Sequence, residues 1–284
     1  MPSHPAHIYK FDCPAVNSQA LLSLLSPEGN HPGKPAFIYL PGMDGTGELF
    51  CVQSPRLKYH FDIRCLAIPR DDLSSWQDMA AQVVALIRQE YPDQPVYLCG
   101  ESFGACLALQ VIALAPDIAS HLVLINSASS FNRLPWLHWL SNMTTWIAPT
   151  FYRTSALGSL PILAALDRIH PDHHTATLRA MRSVTQATAA WRLSLLSKFR
   201  LDALNLNRFK GSVLVVASQA DRLLPSVEEA HRLADKFDHA QLHFLPFSGH
   251  ISLLETDVDL SQILAKNGFL PPISSSREVA VIPQ

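Results

Sequence analysis

Short apolar runs recur along the chain, and longer segments with helical spacing of apolar residues separate them. Uninterrupted runs of this length are typical of strands that are buried on both faces. Strands are predicted at residues 35–40, 61–68, 95–99, 121–126, 211–218 and 241–245. Between the second and third of these, Met79, Val83 and Ile87 share one face of residues 75–91, which predicts an amphipathic helix. This alternation predicts an α/β fold, with a mostly parallel sheet flanked by helices.

Residues 100–104 read Gly-Glu-Ser-Phe-Gly and lie between a predicted strand and a helix-forming run. A strand, a G-x-S-x-G turn and a helix form the nucleophile elbow of α/β-hydrolases. Gly100 and Gly104 lack Cβ atoms, so strand and helix can approach closely on either side of a strained Ser102. The pattern predicts an α/β-hydrolase fold with Ser102 as nucleophile, and an ordinary strand–helix turn is the alternative.

A glycine-rich loop, residues 41–47, follows the strand at 35–40. It contains neither G-x-G-x-x-G nor G-x-x-x-x-G-K-[ST], which argues against a phosphate cradle. With an elbow downstream, the loop is predicted to supply an oxyanion hole, formed by the backbone N–H groups of Met43 and Phe103. We expect Asp44 to shape the turn through its backbone and to border the substrate.

The triad of an α/β-hydrolase runs Ser, then Asp or Glu, then His along the chain. Ser102, Asp221 and His250 occur in that order, each just after a predicted strand. The carboxyl ends of parallel strands share one edge of a sheet, so these side chains are expected to meet there. His250 would take the proton of Ser102 and later return it to the leaving alcohol, and Asp221 would orient the imidazole.

Four other polar residues are alternatives for a place in the site. Asp62 and Asp117 lie near strand starts and therefore at the wrong edge of the sheet. Asn126 occupies a strand end where some hydrolases place their acid, but it carries no charge. Glu101 is next to the candidate nucleophile, and its side chain is expected to point away from Ser102 Oγ.

Residues 127–210 contain no convincing strand pattern, and their apolar residues recur at near-helical spacing. We predict a helical cap inserted after strand β6 of the hydrolase sheet, which is the run 121–126 here. The predicted boundaries are 1–130 and 205–270 for the hydrolase core, 131–204 for the cap and 271–284 for a flexible tail.

An apolar cap is typical of a lid over a hydrophobic acyl or alcohol chain. Trp136, Trp139 and Trp146 are therefore predicted to bind substrate. Packing inside the cap is one alternative for these tryptophans. Peripheral contact of the cap with a membrane surface is another, since tryptophan favours interfaces.

Composition and charge exclude several function classes. The 22 Lys and Arg residues balance 24 Asp and Glu residues without a basic stripe, so no nucleic-acid partner is expected. No apolar run approaches a membrane span, and the first seven residues lack the apolar core of a signal peptide. The five cysteines form no C-x-x-C pair, which favours reduced thiols in a cytoplasmic compartment. Nothing in the predicted chemistry requires a cofactor, and the histidines of residues 170–174 lack the companions of a metal site.

Three segments and one turn resemble the hydrolase half of the phytyl ester synthases, in the esterase, lipase and thioesterase group of photosynthetic membranes. The segments are residues 40–47, 97–109 and 217–226, and the turn is 247–250. The resemblance covers residues 35–265 and is patchy in the cap. It implies triad roles for Ser102, Asp221 and His250 and an oxyanion role for the loop 42–45. It also implies transfer of fatty acyl groups to phytol or diacylglycerol, at the periphery of a photosynthetic membrane.

The plant proteins of this family carry a second, acyltransferase-like module after the hydrolase region, whereas this sequence ends at Gln284. We therefore expect a serine hydrolase for lipid-like esters or acyl thioesters, long-chain acyl or phytyl, with an acyl-serine intermediate. One alternative is an acyltransferase that passes the acyl group to phytol or diacylglycerol from the same site. Another is a binding or sensing protein that keeps the fold but has little turnover.

Overall fold

A seven-stranded sheet lies at the centre of the computed structural model, which describes residues 21–134 and 168–271. Its strands are β1 (Ser23–Leu25), β2 (Ala36–Leu40), β3 (Asp62–Ala67), β4 (Val96–Glu101), β5 (His121–Ile125), β6 (Ser212–Ser218) and β7 (Ala240–Leu245). Their order in the sheet is β1-β3-β2-β4-β5-β6-β7. β1 pairs antiparallel with β3 and was not predicted, whereas the other five pairings are parallel. The mostly parallel sheet is as the sequence predicts.

Helices cover both faces of this sheet in the described part of the chain. They are α1 (Ser54–Leu57), α2 (Trp76–Glu90), α3 (Phe103–Leu114), α4 (Pro171–Ser183), α5 (Gln186–Lys198), α6 (Ser226–Ala234) and α7 (Leu260–Lys266). Short 3-10 turns span Glu48–Val52, Ala128–Arg133, Leu201–Ala203 and Ser252–Leu254. The predicted helix at 75–91 is α2, and it begins at a capping box in which Ser75 and Asp78 each bond the other's backbone N–H.

β2, β4 and β6 are buried on both faces except at Ser212, which explains why these strands are largely apolar. Side chains of a strand alternate between faces, so Ile38 joins the core cluster with α2 and α3. Phe37 and Tyr39 join the cluster on the other face, with Leu264 of α7. β2, β4 and β6 thus fix the positions of their carboxyl ends, after which candidate site residues lie.

From its sequence, the segment of residues 251–266 is predicted to form one final helix, and this prediction is wrong. The structure has the 3-10 turn Ser252–Leu254 followed by α7. The Asp259 carboxylate accepts hydrogen bonds from the backbone N–H groups of Ser261 (2.9 Å) and Gln262 (3.3 Å). This N-cap starts a new helix at Leu260 and so interrupts the predicted one.

The predicted cap follows β5 in the chain order used here, and α4 and α5 are helices of its described part. Trp191 Nε1 donates to Ser74 O (2.9 Å), and Trp76 Nε1 donates to Leu195 O (3.1 Å). These bonds fasten α5 to the start of α2. Trp136, Trp139 and Trp146 lie outside the described residues, as do residues 272–284, and the domain boundaries stay a prediction. None of the described helices is long and apolar enough to span a bilayer.

Candidate active site

The connection from β4 to α3 has the strained geometry of a nucleophile elbow. Ser102 has φ 54° and ψ −111°, a conformation that L-residues rarely adopt. A Cβ atom on Gly104 would lie 2.0 Å from Leu40 O, and one on Gly100 would lie 2.4 Å from Gly104 O. Only glycine therefore fits on either side, and the close approach leaves Ser102 at the tip of the turn.

Three side chains that the sequence analysis selected form one chain of hydrogen bonds. His250 Nε2 lies 2.9 Å from Ser102 Oγ, and His250 Nδ1 lies 2.7 Å from Asp221 Oδ2. The side chains of His250 and Asp221 are 5% and 1% exposed. With the ring proton on Nδ1, His250 donates to Asp221 and offers Nε2 as the acceptor for the serine proton.

Asp221 has several hydrogen-bond donors besides the histidine. Its Oδ1 accepts from the backbone N–H groups of Leu223 (2.8 Å) and Leu224 (3.1 Å), and its Oδ2 accepts from the Ser226 hydroxyl. Burial alone would raise the pKa of Asp221. The hydrogen bond and charge of His250, with Ser226 and Leu224, outweigh burial and hold that pKa below its ordinary value. Asp221 is therefore anionic at neutral pH. Ser226 was not identified from the sequence. Its position at the start of the helix that follows the candidate acid was the signal that could have identified it.

Asn126, an alternative acid in the sequence analysis, instead connects the strand ends around the site. It has φ 44°, and its Nδ2 donates to His250 O (2.8 Å) and Ser218 Oγ (2.9 Å). Its Oδ1 accepts from Ser218 N–H (2.8 Å). One buried amide thus joins the end of β5 to β6 and to the loop that carries His250.

The histidine loop is also tied to the segment that enters α4. The Glu255 carboxylate accepts from Gly249 N–H (2.8 Å) through Oε1 and from Arg168 Nε (2.7 Å) through Oε2. Glu255 is 1% exposed. Because its two oxygens bond to different segments, it couples the backbone next to His250 to the cap side of the protein.

The glycine-rich loop lies directly beside the elbow. A Cβ atom on Gly42 would lie 3.8 Å from Ser102 Cβ. Within the described residues, neither Met43 N–H nor Phe103 N–H donates to another group, so both are free to meet an oxyanion. Asp44 Oδ2 accepts from Thr46 N–H (2.9 Å) and Thr46 Oγ1 (2.6 Å), so Asp44 shapes this turn through its side chain. Its contact with substrate, like the oxyanion roles, stays a prediction.

Glu101 is a buried carboxyl next to the candidate nucleophile. It is 6% exposed, and its Oε2 accepts from Tyr39 Oη (2.5 Å) on the face of the sheet opposite α3. Its Oε1 has no partner in the described part of the protein. Burial raises the pKa of Glu101 to about 7, although the Tyr39 bond and the charge of His250 act to lower it.

Asp62 and Asp117, which the sequence places at the edge of the sheet away from the triad, have structural contacts there. Asp62, the first residue of β3, accepts from Tyr91 Oη (2.8 Å) and pairs with Arg64 (3.0 Å). Asp117 forms an exposed pair with Arg88 at 3.7 Å. No group of three or more His, Cys, Asp or Glu side chains that could bind a metal occurs among residues 21–134 and 168–271.

Comparisons with known proteins identify the fold family of this chain. A family model described as alpha/beta hydrolase fold matches residues 35–257. Phytyl ester synthase 1, chloroplastic, of Arabidopsis thaliana is 30% identical over 260 residues, which are 82% of this chain and 37% of that protein. Phytyl ester synthase 2, chloroplastic, of the same plant is 26% identical over 260 residues, covering 81% and 37%. This chain therefore spans little more than a third of the length of these relatives.

Solved structures share the same fold at lower identity. A hydrolase from Oleispira antarctica superimposes with a TM-score of 0.70 and 15% identity, over 87% of this chain and 93% of the other. At that identity the likeness concerns the fold alone. The predicted α/β-hydrolase fold and the resemblance to phytyl ester synthases are confirmed. The chain belongs to the alpha/beta hydrolase fold family.

Proposed function

We propose that this chain is a serine hydrolase that cleaves lipid-like esters, long-chain acyl or phytyl, through an acyl-enzyme on Ser102. The observation that carries the proposal is the chain of hydrogen bonds from Asp221 through His250 to Ser102 Oγ. The strained elbow and the loop beside it support the same chemistry. The lipid-like substrate class follows from the similarity to the two phytyl ester synthases.

In the acylation step, Ser102 Oγ attacks the ester carbonyl carbon while its proton passes to His250 Nε2. Asp221 stabilises the resulting imidazolium through the 2.7 Å bond to Nδ1. The carbonyl oxygen becomes an oxyanion, for which Met43 N–H and Phe103 N–H are the proposed donors. The N-terminus of α3 adds partial positive charge at the same place. Each oxyanion donor typically lowers the barrier of such a reaction by about 3 kcal/mol.

The tetrahedral intermediate collapses when the bond to the leaving alcohol breaks and that alcohol takes the proton from His250 Nε2. Ser102 now carries the acyl group as an ester. A water molecule then donates a proton to His250 and attacks the acyl carbon, and collapse of the second intermediate restores the Ser102 hydroxyl. His250 thus serves first as base and then as acid in each half of the reaction.

Acyl transfer is the second candidate, and the similarity to proteins named as synthases favours it. Phytol or a diacylglycerol would take the place of water in the second half, with no change in the residues that act. Which acceptor reacts depends on how well the covered site excludes water. The names of both relatives place them in the chloroplast, so we propose contact with a photosynthetic membrane through the cap.

The test begins with a Ser102→Ala variant and esters of graded acyl-chain length. We expect the variant to lower turnover by at least about 1,000-fold, because the nucleophile is removed. The wild-type protein should react with a fluorophosphonate probe, and peptide mass analysis should place the adduct on Ser102. Turnover should favour long acyl chains over short ones.

Ser130→Ala is a matched control. Ser130 is also a buried serine near the elbow, and its hydroxyl has no partner in the described residues. This variant should keep wild-type turnover and probe labelling. An adduct on another residue, or an unchanged rate in Ser102→Ala, would refute the assignment of the nucleophile.

Labelled phytol and labelled diacylglycerol, added with the ester, separate the two candidate reactions. Labelled phytyl ester or triacylglycerol that requires Ser102 would establish acyl transfer. Free fatty acid as the sole product would leave hydrolysis. Sedimentation with vesicles of galactolipid composition, with phosphatidylcholine vesicles as the control, tests the membrane contact.

A further inference from the structure

Arg192 is a charged residue inside the apolar run of helix α5. Its neighbours along the chain are Trp191 and Leu193, and it is only 1% exposed, among the largest fully buried side chains of the described residues. A guanidinium taken out of water must be hydrogen-bonded to acceptors, since an unsatisfied buried charge strongly destabilises a fold. The positions of those acceptors therefore indicate the role of the Arg192 side chain.

The guanidinium lies against both halves of the proposed oxyanion hole. Its Nη1 donates to Met43 O at 2.6 Å, and its Nη2 lies 3.4 Å from Pro69 O. Its Cζ lies 5.8 Å from the centre of the Phe103 ring, within the range of a cation–π contact. Met43 and Phe103 are the two residues whose N–H groups are the proposed oxyanion donors, and one side chain contacts both.

The loop is shaped to admit this side chain. Gly45 has φ 70°, and a Cβ atom there would lie 2.6 Å from Arg192 Nη1 and 2.9 Å from Nη2. The Asp44–Thr46 bonds turn the loop locally. From outside the turn, Ile68 N–H anchors the loop at Gly45 O (2.7 Å), and Arg192 anchors it at the Met43 carbonyl. A glycine-rich loop has many accessible backbone conformations, so an external anchor is needed to hold its N–H at one place.

We propose that Arg192 is a positioning residue that holds Met43 N–H and Phe103 N–H at the spacing an oxyanion requires. The proposal rests on the function proposed above. The hydrogen bond to the Met43 carbonyl restricts rotation of the backbone at Met43, and the contact with the ring restrains the first residue of α3. Oxyanion stabilisation depends on donors within about 0.5 Å of their productive places, so losing this restraint raises the barrier of the chemical step.

The helix that supplies Arg192 gives the contact a second consequence. α5 belongs to the predicted cap, and it is fastened to the core through Trp191 and Trp76. A displacement of α5 withdraws Arg192 from the loop and loosens the oxyanion hole. The site then reaches full activity only with α5 seated on the core.

Arg192→Met and Arg192→Lys test the inference, assayed on a short-chain ester and with thermal unfolding of each variant. We expect Arg192→Met to lower kcat about 100-fold while KM changes less than about threefold, as for loss of an oxyanion donor. Arg192→Lys should lower kcat about tenfold, between wild type and Arg192→Met. The lysine ammonium can donate to one carbonyl but lacks the planar, forked geometry of a guanidinium. Binding of a trifluoromethyl ketone, which mimics the oxyanion, should weaken in proportion to kcat/KM.

Trp191→Phe is the matched control, because it removes the α5 bond to Ser74 at the adjacent position without touching the loop. It should lower thermal stability and keep kcat within about threefold of wild type, because the bond from Trp76 Nε1 to Leu195 O still fastens α5 to the core. If Arg192→Met fails to fold, Arg192→Ala with added ethylguanidine serves in its place, and recovery of kcat with the additive supports the proposal.

The outcomes separate this inference from the proposed function. Wild-type kcat in a folded Arg192→Met refutes the positioning role alone. Equal losses of kcat and stability in Trp191→Phe and Arg192→Met also refute it, since they would show a role in seating the helix only. Absence of Ser102-dependent turnover in the wild-type protein would refute the proposed function, and this inference with it.

Discussion

The two sides of the candidate site are held in different ways. On the acid–base side, Asp221 and His250 are fixed by groups of the sheet and its loops, through Asn126, Ser226 and Glu255. On the proposed oxyanion side, Ile68 N–H donates to Gly45 O (2.7 Å), and Arg192 of α5 donates to Met43 O (2.6 Å). The base is thus held mainly by the core, whereas the carbonyl of Met43, whose N–H is a proposed oxyanion donor, is bonded to a helix of the predicted cap.

This difference predicts that substitutions on the two sides of the site affect stability and rate differently. Asn126 and Ser226 belong to the predicted hydrolase core and bond to His250 O and Asp221, so these bonds hold His250 beside Ser102 without the cap. The oxyanion side also has a contact with α5, so a shift of α5 is expected to alter it. Substitutions on the acid–base side should therefore change both stability and rate, and those on the oxyanion side mainly the rate.

Asp221→Asn tests the acid–base side most severely. The amide keeps the shape of the carboxylate but cannot stabilise an imidazolium, and it favours the wrong histidine tautomer. We expect kcat to fall by about 10,000-fold with the fold intact. Steady-state kinetics and the circular dichroism spectrum check this outcome. Asp235→Asn, on the exposed end of α6, is the control and should leave kcat unchanged.

A loss of less than tenfold in Asp221→Asn would show that another carboxyl supports His250. Glu101 would then be the group to examine, since its charge interacts with that of His250.

Glu255→Ala should have the next largest effect, this time on both stability and rate. It leaves Gly249 N–H and the Arg168 guanidinium without their buried acceptor, which costs about 3 kcal/mol of unfolding free energy. Denaturant unfolding measures that loss. We also expect kcat to fall about tenfold, because the loop next to His250 loses its restraint.

Asp257→Ala is the matched control, since it removes the exposed partner of Arg168 and leaves Glu255 in place. It should change the unfolding free energy by less than about 1 kcal/mol. Equal losses in the two variants would contradict the coupling of the histidine loop through Glu255.

Sequence alone predicted the parts of this molecule that local pattern determines. The buried strands were found because most of them are short, largely apolar runs. Ser102, Asp221 and His250 were selected because they occur in the triad order, each just after one of these strands. The structure then brings the three side chains within hydrogen-bond distance. Chain order and strand ends are enough to predict proximity at one edge of a parallel sheet.

The anchoring residues could not be predicted in the same way. Asn126 contacts His250 across 124 positions, and Arg192 contacts Met43 across 149. Such bonds join segments that meet only in the folded chain, so they leave no periodic signal in the sequence. A lone arginine in the apolar run of α5 was a visible hint, but its direction depends on tertiary packing. The interrupted helix at 251–266 was missed because Asp259 fits a helix surface as well as an N-cap.

The smallest predicted effect concerns the stability contributed by Glu101. Its carboxyl interacts electrostatically with His250 on the acid–base side and with Asp44 on the oxyanion side. Its pKa, raised by burial to about 7 from an ordinary 4.5, means that the folded protein holds this proton more tightly than the unfolded chain. Its contribution to stability is therefore complete below about pH 4.5 and is lost as the pH rises through about 7. Between about pH 6 and pH 8.5 the wild type should lose about 1.4 kcal/mol through this group.

Glu101→Gln should remove that part of the pH dependence, because the amide does not titrate. Its unfolding free energy is expected to be lower at every pH, since the new N–H groups lack partners where Oε1 lacks one now. The slope between the two pH values, and not the absolute stability, is therefore the quantity to compare. Glu228→Gln, at an exposed position of α6, should keep the wild-type slope. Tyr39→Phe should steepen it, because the lost hydrogen bond raises the pKa of Glu101 further. An unchanged slope in Glu101→Gln would contradict titration of Glu101 between these two pH values in the folded protein.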